Sequence, residues 1–261
     1  MQTAKQKLKR AAPWLFLLLV LAGLAAVRGL AANYEIGYEI MNGDFQNYNP
    51  VRHLLDGQVP YRDFTVYLGA GELYSVGGLL LVLGNSFGRS MFATNFCTWF
   101  YFELLVLAVC LVVIGTARAA RAAALALCSV FFAYVQGANL PFAGQVNTLL
   151  SYAAANGNSA RMMRSAALTL AVLVILLGLH FWQQDTSRRL LAPAVLVPFA
   201  AGFFVPWSND MGGAAYISIA LGYGLYLIRL YRSSIGKIVV QTLRYIVTSA
   251  VSYTHLRAHE T

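Results

Sequence analysis

The residues able to do chemistry are few and unevenly placed. Of the ten carboxylates, six (Glu35, Glu39, Asp44, Asp56, Asp63 and Glu72) fall between Asn33 and Ser90, where they face Arg52, Arg62 and Arg89. Carboxylates move protons, and guanidinium groups grip phosphate or carboxylate oxygens through paired hydrogen bonds. Each residue also has a plainer reading. Asp44 precedes an amphipathic stretch and fits a helix N-cap, Asp63 follows Arg62 and fits a local ion pair or a second cap, and Asp56 before Gly57 marks a turn. His53 has no second ligand type nearby and reads as an interfacial polar residue rather than a metal ligand. Outside this stretch, Asp210 in Ser208-Asn209-Asp210 lies between two apolar runs, so it belongs at an interface or in a water-filled cavity, or caps the next helix. Glu103 lies within an apolar run and is expected to serve function, to pair with Arg28 or to bond a neighbouring helix. Arg161 and Arg164 flank another run and suit a phosphate or lipid headgroup.

These residues must be held by helices in a bilayer. Apolar residues make up 59% of the chain, charged ones 11%, and the mean hydropathy is +0.60, against roughly 45–50% and about 25% in soluble domains. Apolar runs cover Ala12–Ala32, Met91–Gly115, Arg121–Ala138, Ser165–Trp182, Leu190–Pro206, Gly213–Leu230 and Ile238–Ala250. A crossing takes about 20 residues, so the expectation is an all-α transmembrane bundle of about seven spans. Lys5, Lys7, Lys9 and Arg10 place the N-terminus in the cytoplasm, and the first run is too long for a signal-peptide core.

The stretch Leu68–Gly84 is ambiguous, being short and carrying Glu72 and five glycines. Charge resolves it. If it does not cross, Arg118, Arg121, Arg188, Arg189, Arg229, Arg232 and Lys237 all become cytoplasmic, leaving Arg161 and Arg164 as the main exceptions; if it crosses, all seven move outside. It is therefore expected to be a juxtamembrane or re-entrant helix inside a first external loop spanning residues 33–90. The formal charge of +9 is accounted for by residues that orient spans, with no nucleic-acid partner required. The three cysteines sit in apolar runs and build no disulfide framework or metal motif. No nucleotide fingerprint, hydrolase elbow or zinc-protease motif is present.

The last eleven residues, Val251 to Thr261, resemble a translated sequencing adapter. The expectation is that residues 1–250 form the N-terminal part of a transmembrane domain and that 251–261 is an assembly artefact.

The first loop also carries a family likeness. An acid soon after the first span (Asp44), an aromatic (Phe45), a short helix ending Leu54-Leu55-Asp56-Gly57, then Pro60-Tyr61-Arg62-Asp63-Phe64, resembles the first external loop of GT-C superfamily glycosyltransferases. These are polytopic enzymes related to protein O-mannosyltransferases and aminoarabinose transferases. The likeness covers roughly residues 1 to 135. Two features depart from it: Phe45 stands where many members have a second acid, and Asn139–Arg164 contains no carboxylate. The resemblance implies transfer of a sugar from a polyprenyl-phosphate donor to an extracytoplasmic acceptor at a bacterial plasma membrane, amid membrane lipids. By it Asp44 would be the base; for that chemistry Arg52 and Arg62 are candidate phosphate partners, and Asp63, Asn209 and Asp210 on the side of the first loop, with Arg161, are candidate contacts to donor or acceptor. The residues name no cofactor, although a divalent metal is compatible with the chemistry. A transporter or flippase, and a noncatalytic relative, are the competing classes. Transporters bury ionisable groups in paired, interrupted spans, whereas here the acids gather in one loop.

Overall fold

The computed structural model describes residues 4–33, 42–66, 68–135, 161–184 and 191–258; the side chains of several helix-end residues, Asp44, Arg161 and His180 among them, lie outside that description. Among the described residues the chain is entirely helical, with α1 (Ala4–Asn33), α2 (Asn42–Leu55), α3 (Ala70–Leu83), α4 (Phe87–Ile114), α5 (Ala119–Val135), α6 (Arg161–Gln184), α7 (Leu191–Trp207), α8 (Gly212–Leu230) and α9 (Ile235–Ala258). A single 3₁₀ turn at Thr116–Arg118 joins α4 to α5.

Among the described residues three helices are long and apolar enough to cross a membrane: Ala11–Leu30 in α1, Phe87–Ile114 (α4) and Gly212–Leu230 (α8). The 28 residues of α4 extend about 42 Å, more than the roughly 30 Å of a hydrocarbon core. The apolar stretches of α5, α6 and α7 are shorter. Leu19 and Val113 remain more than 70% exposed, an outward apolar surface that water would penalise and lipid chains would not. Length and composition mark the chain as a membrane protein. Of the sequence expectations, the all-helical architecture is present.

Helices α1 and α4 run antiparallel, and so do α7 and α9 where they meet. Leu17 and Leu21 of α1 share a cluster with Leu107 and Cys110 of α4, while Gly29, near the other end of α1, abuts Phe92 near the start of α4. Ala122 and Ala126 of α5 close the same cluster, their small side chains allowing close approach. A second core joins Leu179 of α6, Val197 and Ala201 of α7, Ile219 and Tyr223 of α8 and Tyr245 of α9. Tyr223 and Tyr245 stack at 5.1 Å. Helices α7 and α9 cross where Gly202 meets the Ser249 carbonyl and Ser252 donates to the Phe199 carbonyl at 2.8 Å. Helix α9 is continuous through Ala250 to Ala258.

Helix α3 is different in kind. Its 14 residues span about 21 Å, short of a bilayer core. It packs as a hairpin against α4: Gly84 closes it with φ +90°, Ser86 caps α4 by accepting from the Arg89 amide at 3.3 Å, and Ser75 hydrogen-bonds Tyr101 at 3.0 Å. Val51, Leu54 and Leu55 of α2 cover its inner face beside Leu73, Val76 and Leu80, leaving Leu81 and Val82 outward at 76% and 85% exposure.

Candidate functional site

Helix α2 ends as its sequence dictates. Gly57 adopts φ +84°, its amide bonds the Leu54 carbonyl at 3.0 Å, and the Gln58 amide bonds the His53 carbonyl at 3.0 Å, which is the paired Schellman closure. Asp56 marks this turn, as expected. Arg52 is exposed and donates to Asn49 at 3.1 Å, and His53 stacks on Phe64 at 5.2 Å. Asp44 is the third residue of α2. Its backbone lies within the first turn rather than ahead of it, which corrects the N-cap expectation; an acidic residue type at such a position is favoured by the helix dipole.

Pro60 to Phe64 forms a tight loop. The Tyr61 amide bonds the Phe64 carbonyl at 2.9 Å, and Tyr61 takes φ +65°, a left-handed conformation uncommon in a residue with a bulky side chain. Arg62 grips Asp63 with two bonds of 2.9 Å, and Asp63 also accepts the Val59 amide at 2.7 Å. Donation from Arg62 and then from Val59 lowers the Asp63 carboxyl to about 2. A carboxylate held so low is a weak proton acceptor at neutral pH, and its role here is to close the loop. The Arg62 fork is spent on the same contact.

This loop is seated on the turn between α7 and α8. The Tyr61 hydroxyl donates to the Pro206 carbonyl at 3.4 Å, and the Asn209 amide side chain donates to the Val66 carbonyl at 3.1 Å. Two glycines allow the approach. A Cβ on Gly69, whose φ is +103°, would stand 2.6 Å from the Ser208 Cα and the Trp207 carbonyl oxygen, and one on Gly71 would enter the Trp207 indole. The glycines that made Leu68–Gly84 ambiguous in sequence are thus what lets it dock.

Asp210 is at the centre. Its Oδ1 accepts from Ser208 Oγ at 2.6 Å, from Arg164 Nη1 at 2.9 Å and from the Met211 amide at 3.0 Å. Burial opposes its ionisation, but the Ser208 bond and the Arg164 charge prevail and hold the carboxyl below its ordinary value. Its side chain is 53% exposed, while that of Arg164 is 6% exposed. Met211, not Asp210, precedes α8, and no side chain caps that helix, so the cap expectation for Asp210 gives way to an ion pair. Arg164 also donates to the Leu68 carbonyl at 3.3 Å. One turn along α3 lies Glu72, 4% exposed, whose carboxyl is raised to about 8 by burial against the pull of Arg164.

The structure therefore brings together the first-loop segment 61–72, Arg164, Asn209 and Asp210. It holds Arg52 and Arg62 in local contacts, and the Asp44 and Arg161 side chains fall outside the described residues. Glu72 and Arg164 as neighbours were not foreseen. The signal was present: an acid inside an apolar, glycine-rich run needs a cationic neighbour, and Arg164 was the base out of place. Glu103 is not paired with Arg28. Its two carboxyl oxygens have no hydrogen-bond partner among the described residues, and Arg28 lies over the Trp99 ring at 5.0 Å. Among the described residues no three His, Cys, Asp or Glu side chains converge as metal ligands; the cation beside Asp210 is Arg164, and these residues do not fit a metal. No family model, curated protein or solved structure matches the chain.

Proposed function

We propose that the chain is the membrane part of a GT-C type glycosyltransferase that moves a sugar from a polyprenyl-phosphate donor to an extracytoplasmic acceptor. The observation that carries this reading is the docking of the Tyr61–Gly71 segment onto the α7–α8 turn, beside a half-exposed Asp210 and a buried Arg164. A membrane protein that builds a polar, charged site where three helices end has a place for a ligand with a charged head and an apolar tail. Arg164 and Arg161 suit the donor phosphate, since guanidinium stabilises charge building on a departing phosphate. Asp44 supplies the base, on the family resemblance, and Asn209 and Asp210 position the acceptor. Arg52 lies exposed on α2 toward the same loop, and Arg62 and Asp63 keep the loop closed.

In this reading the bundle has about seven spans, with α5, α6, α7 and α9 crossing beside α1, α4 and α8, and α3 lying at the outer face. The N-terminus is cytoplasmic, and the membrane is a bacterial plasma membrane. Glu103, a buried carboxyl inside α4, is the feature a transport reading would use.

Asp44→Asn in the complete protein, assayed for glycan transfer in membranes, separates these readings. Loss of transfer by about 100-fold or more is expected for a general base. Unchanged turnover removes the proposed base, and movement of the lipid-linked sugar without transfer favours transport.

A further inference from the structure

Arg164 and Glu72 are buried neighbours with hydrogen-bonding capacity left over. Arg164 is 5% exposed and Glu72 4% exposed. Nη1 of Arg164 serves Asp210 and the Leu68 carbonyl, but its Nε has no partner among the described residues, and neither does Oε1 of Glu72. The Leu68 carbonyl lies one turn ahead of Glu72 at the same end of α3, so a single guanidinium stands before two carboxyl groups. One cation balances one carboxylate, and a second buried carboxyl remains neutral only by keeping a proton.

The other ionisable groups around α3 do not supply that balance. From α4 come Cys97 and Tyr101, both at Ser75, and Arg89, whose guanidinium lies at Gly84 at the opposite end of α3 from Glu72, while Glu103 is on the α4 face that carries Trp99. From α2 come Val51 and Leu54, with His53 on Phe64 and Arg52 exposed. Helix α7 presents the Trp207 indole.

We propose that Glu72 is a proton-binding site coupled to Asp210 through Arg164. With the proton on Glu72, Arg164 is held by Asp210. When Glu72 gives its proton to water, the new carboxylate takes the free Nε edge of Arg164, and Asp210 is released on its exposed side. The carboxyl O–H bond breaks and one to water forms, while the guanidinium keeps its charge and exchanges one carboxylate partner for the other. The elevated Glu72 value of about 8 puts this exchange near physiological pH. Binding linkage makes it reciprocal: whatever occupies Asp210 changes the proton affinity of Glu72. The inference holds whether or not the chain transfers a sugar.

Infrared difference spectroscopy on the full chain in lipid nanodiscs tests it without any turnover. The protonated-carboxyl stretch is followed from about pH 5 to about pH 10. A band that disappears with a midpoint near 8, is absent in Glu72→Gln and persists in Glu103→Gln is expected. Asp210→Asn, which leaves Arg164 to Glu72 alone, lowers the midpoint by about one unit, and Arg164→Met raises it by a similar amount. A midpoint unmoved by Asp210→Asn overturns the proposal, as does the absence of a protonated Glu72 band at the acid end. If Glu72→Gln does not fold, the exposed Asp210→Asn variant still decides through the midpoint shift.

Discussion

The Arg164–Asp210 pair has one end in the protein and one in solvent, so its two halves will respond unequally to removal. The side chains are 6% and 53% exposed, with the charged atoms 2.9 Å apart. At about 4 Å between charge centres and an effective dielectric near 20, the attraction is about 4 kcal/mol. Water around Asp210 screens much of it, leaving a coupling of about 1–2 kcal/mol. Asp210→Ala leaves the buried guanidinium with the Leu68 carbonyl and Glu72 and is expected to cost about 2–3 kcal/mol, less than the roughly 3–5 kcal/mol of breaking a fully buried pair. Arg164→Met removes the buried charge itself and leaves Asp210 with water, Ser208 and the Met211 amide, so it should cost about 1 kcal/mol or less. Thermal unfolding of both single variants and the double variant in detergent gives the cycle. Equal losses from the two single variants, adding without interaction, would show that the buried guanidinium does not depend on Asp210.

Gly71→Ala pushes a methyl group into the Trp207 indole and should lower stability by about 1–3 kcal/mol, read by the same melts; Gly78→Ala, with nothing within 4 Å, serves as the tolerated control. Glu72 makes stability depend on pH. Its carboxyl titrates at about 8 when folded against 4.5 ordinarily, so between those values the folded chain binds more protons than the unfolded one and stability falls as pH rises. Denaturation across that window should show the decline, and Glu72→Gln should flatten it. Single cysteines at Gly43 and Met211 should label from the same side of the membrane in intact cells. Met211 is 43% exposed whereas Ser208 is fully buried, which makes the former the better reporter. Labelling from opposite faces would end the shared-site proposal.

The helices were legible because apolar runs of bilayer length between charged flanks have few other solutions. The turn at Asp56-Gly57 and the Arg62–Asp63 contact were legible for a similar reason, since their partners are adjacent in sequence. The site was only half legible. Asp210 and Arg164 each stood out as charges out of place, but nothing local says that they meet, because their neighbourhood is set by α6, α7 and α8 packing together. Of the readings open for Glu103, the Arg28 pair failed for the same reason: Arg28 lies over the Trp99 ring, a contact that only the packed helices supply. The glycines of α3 show how a pattern is seen before its cause. Their number was plain in the sequence, but that Gly69 and Gly71 clear the path for Trp207 is visible only once α7 is in place.

The bond from Tyr61 to Pro206 joins residues 145 positions apart. At synthesis rates of about 5–20 residues per second, the first loop emerges roughly 7–30 seconds before its seat exists. For most of that interval Glu72 lacks Arg164, throughout it the α7–α8 turn is missing, and the loop must be kept in waiting by the earlier helices. Assembly is therefore ordered from the outset. A chain interrupted before α7 would insert its early helices yet carry an unfinished surface, one that quality control in the membrane has physical grounds to detect.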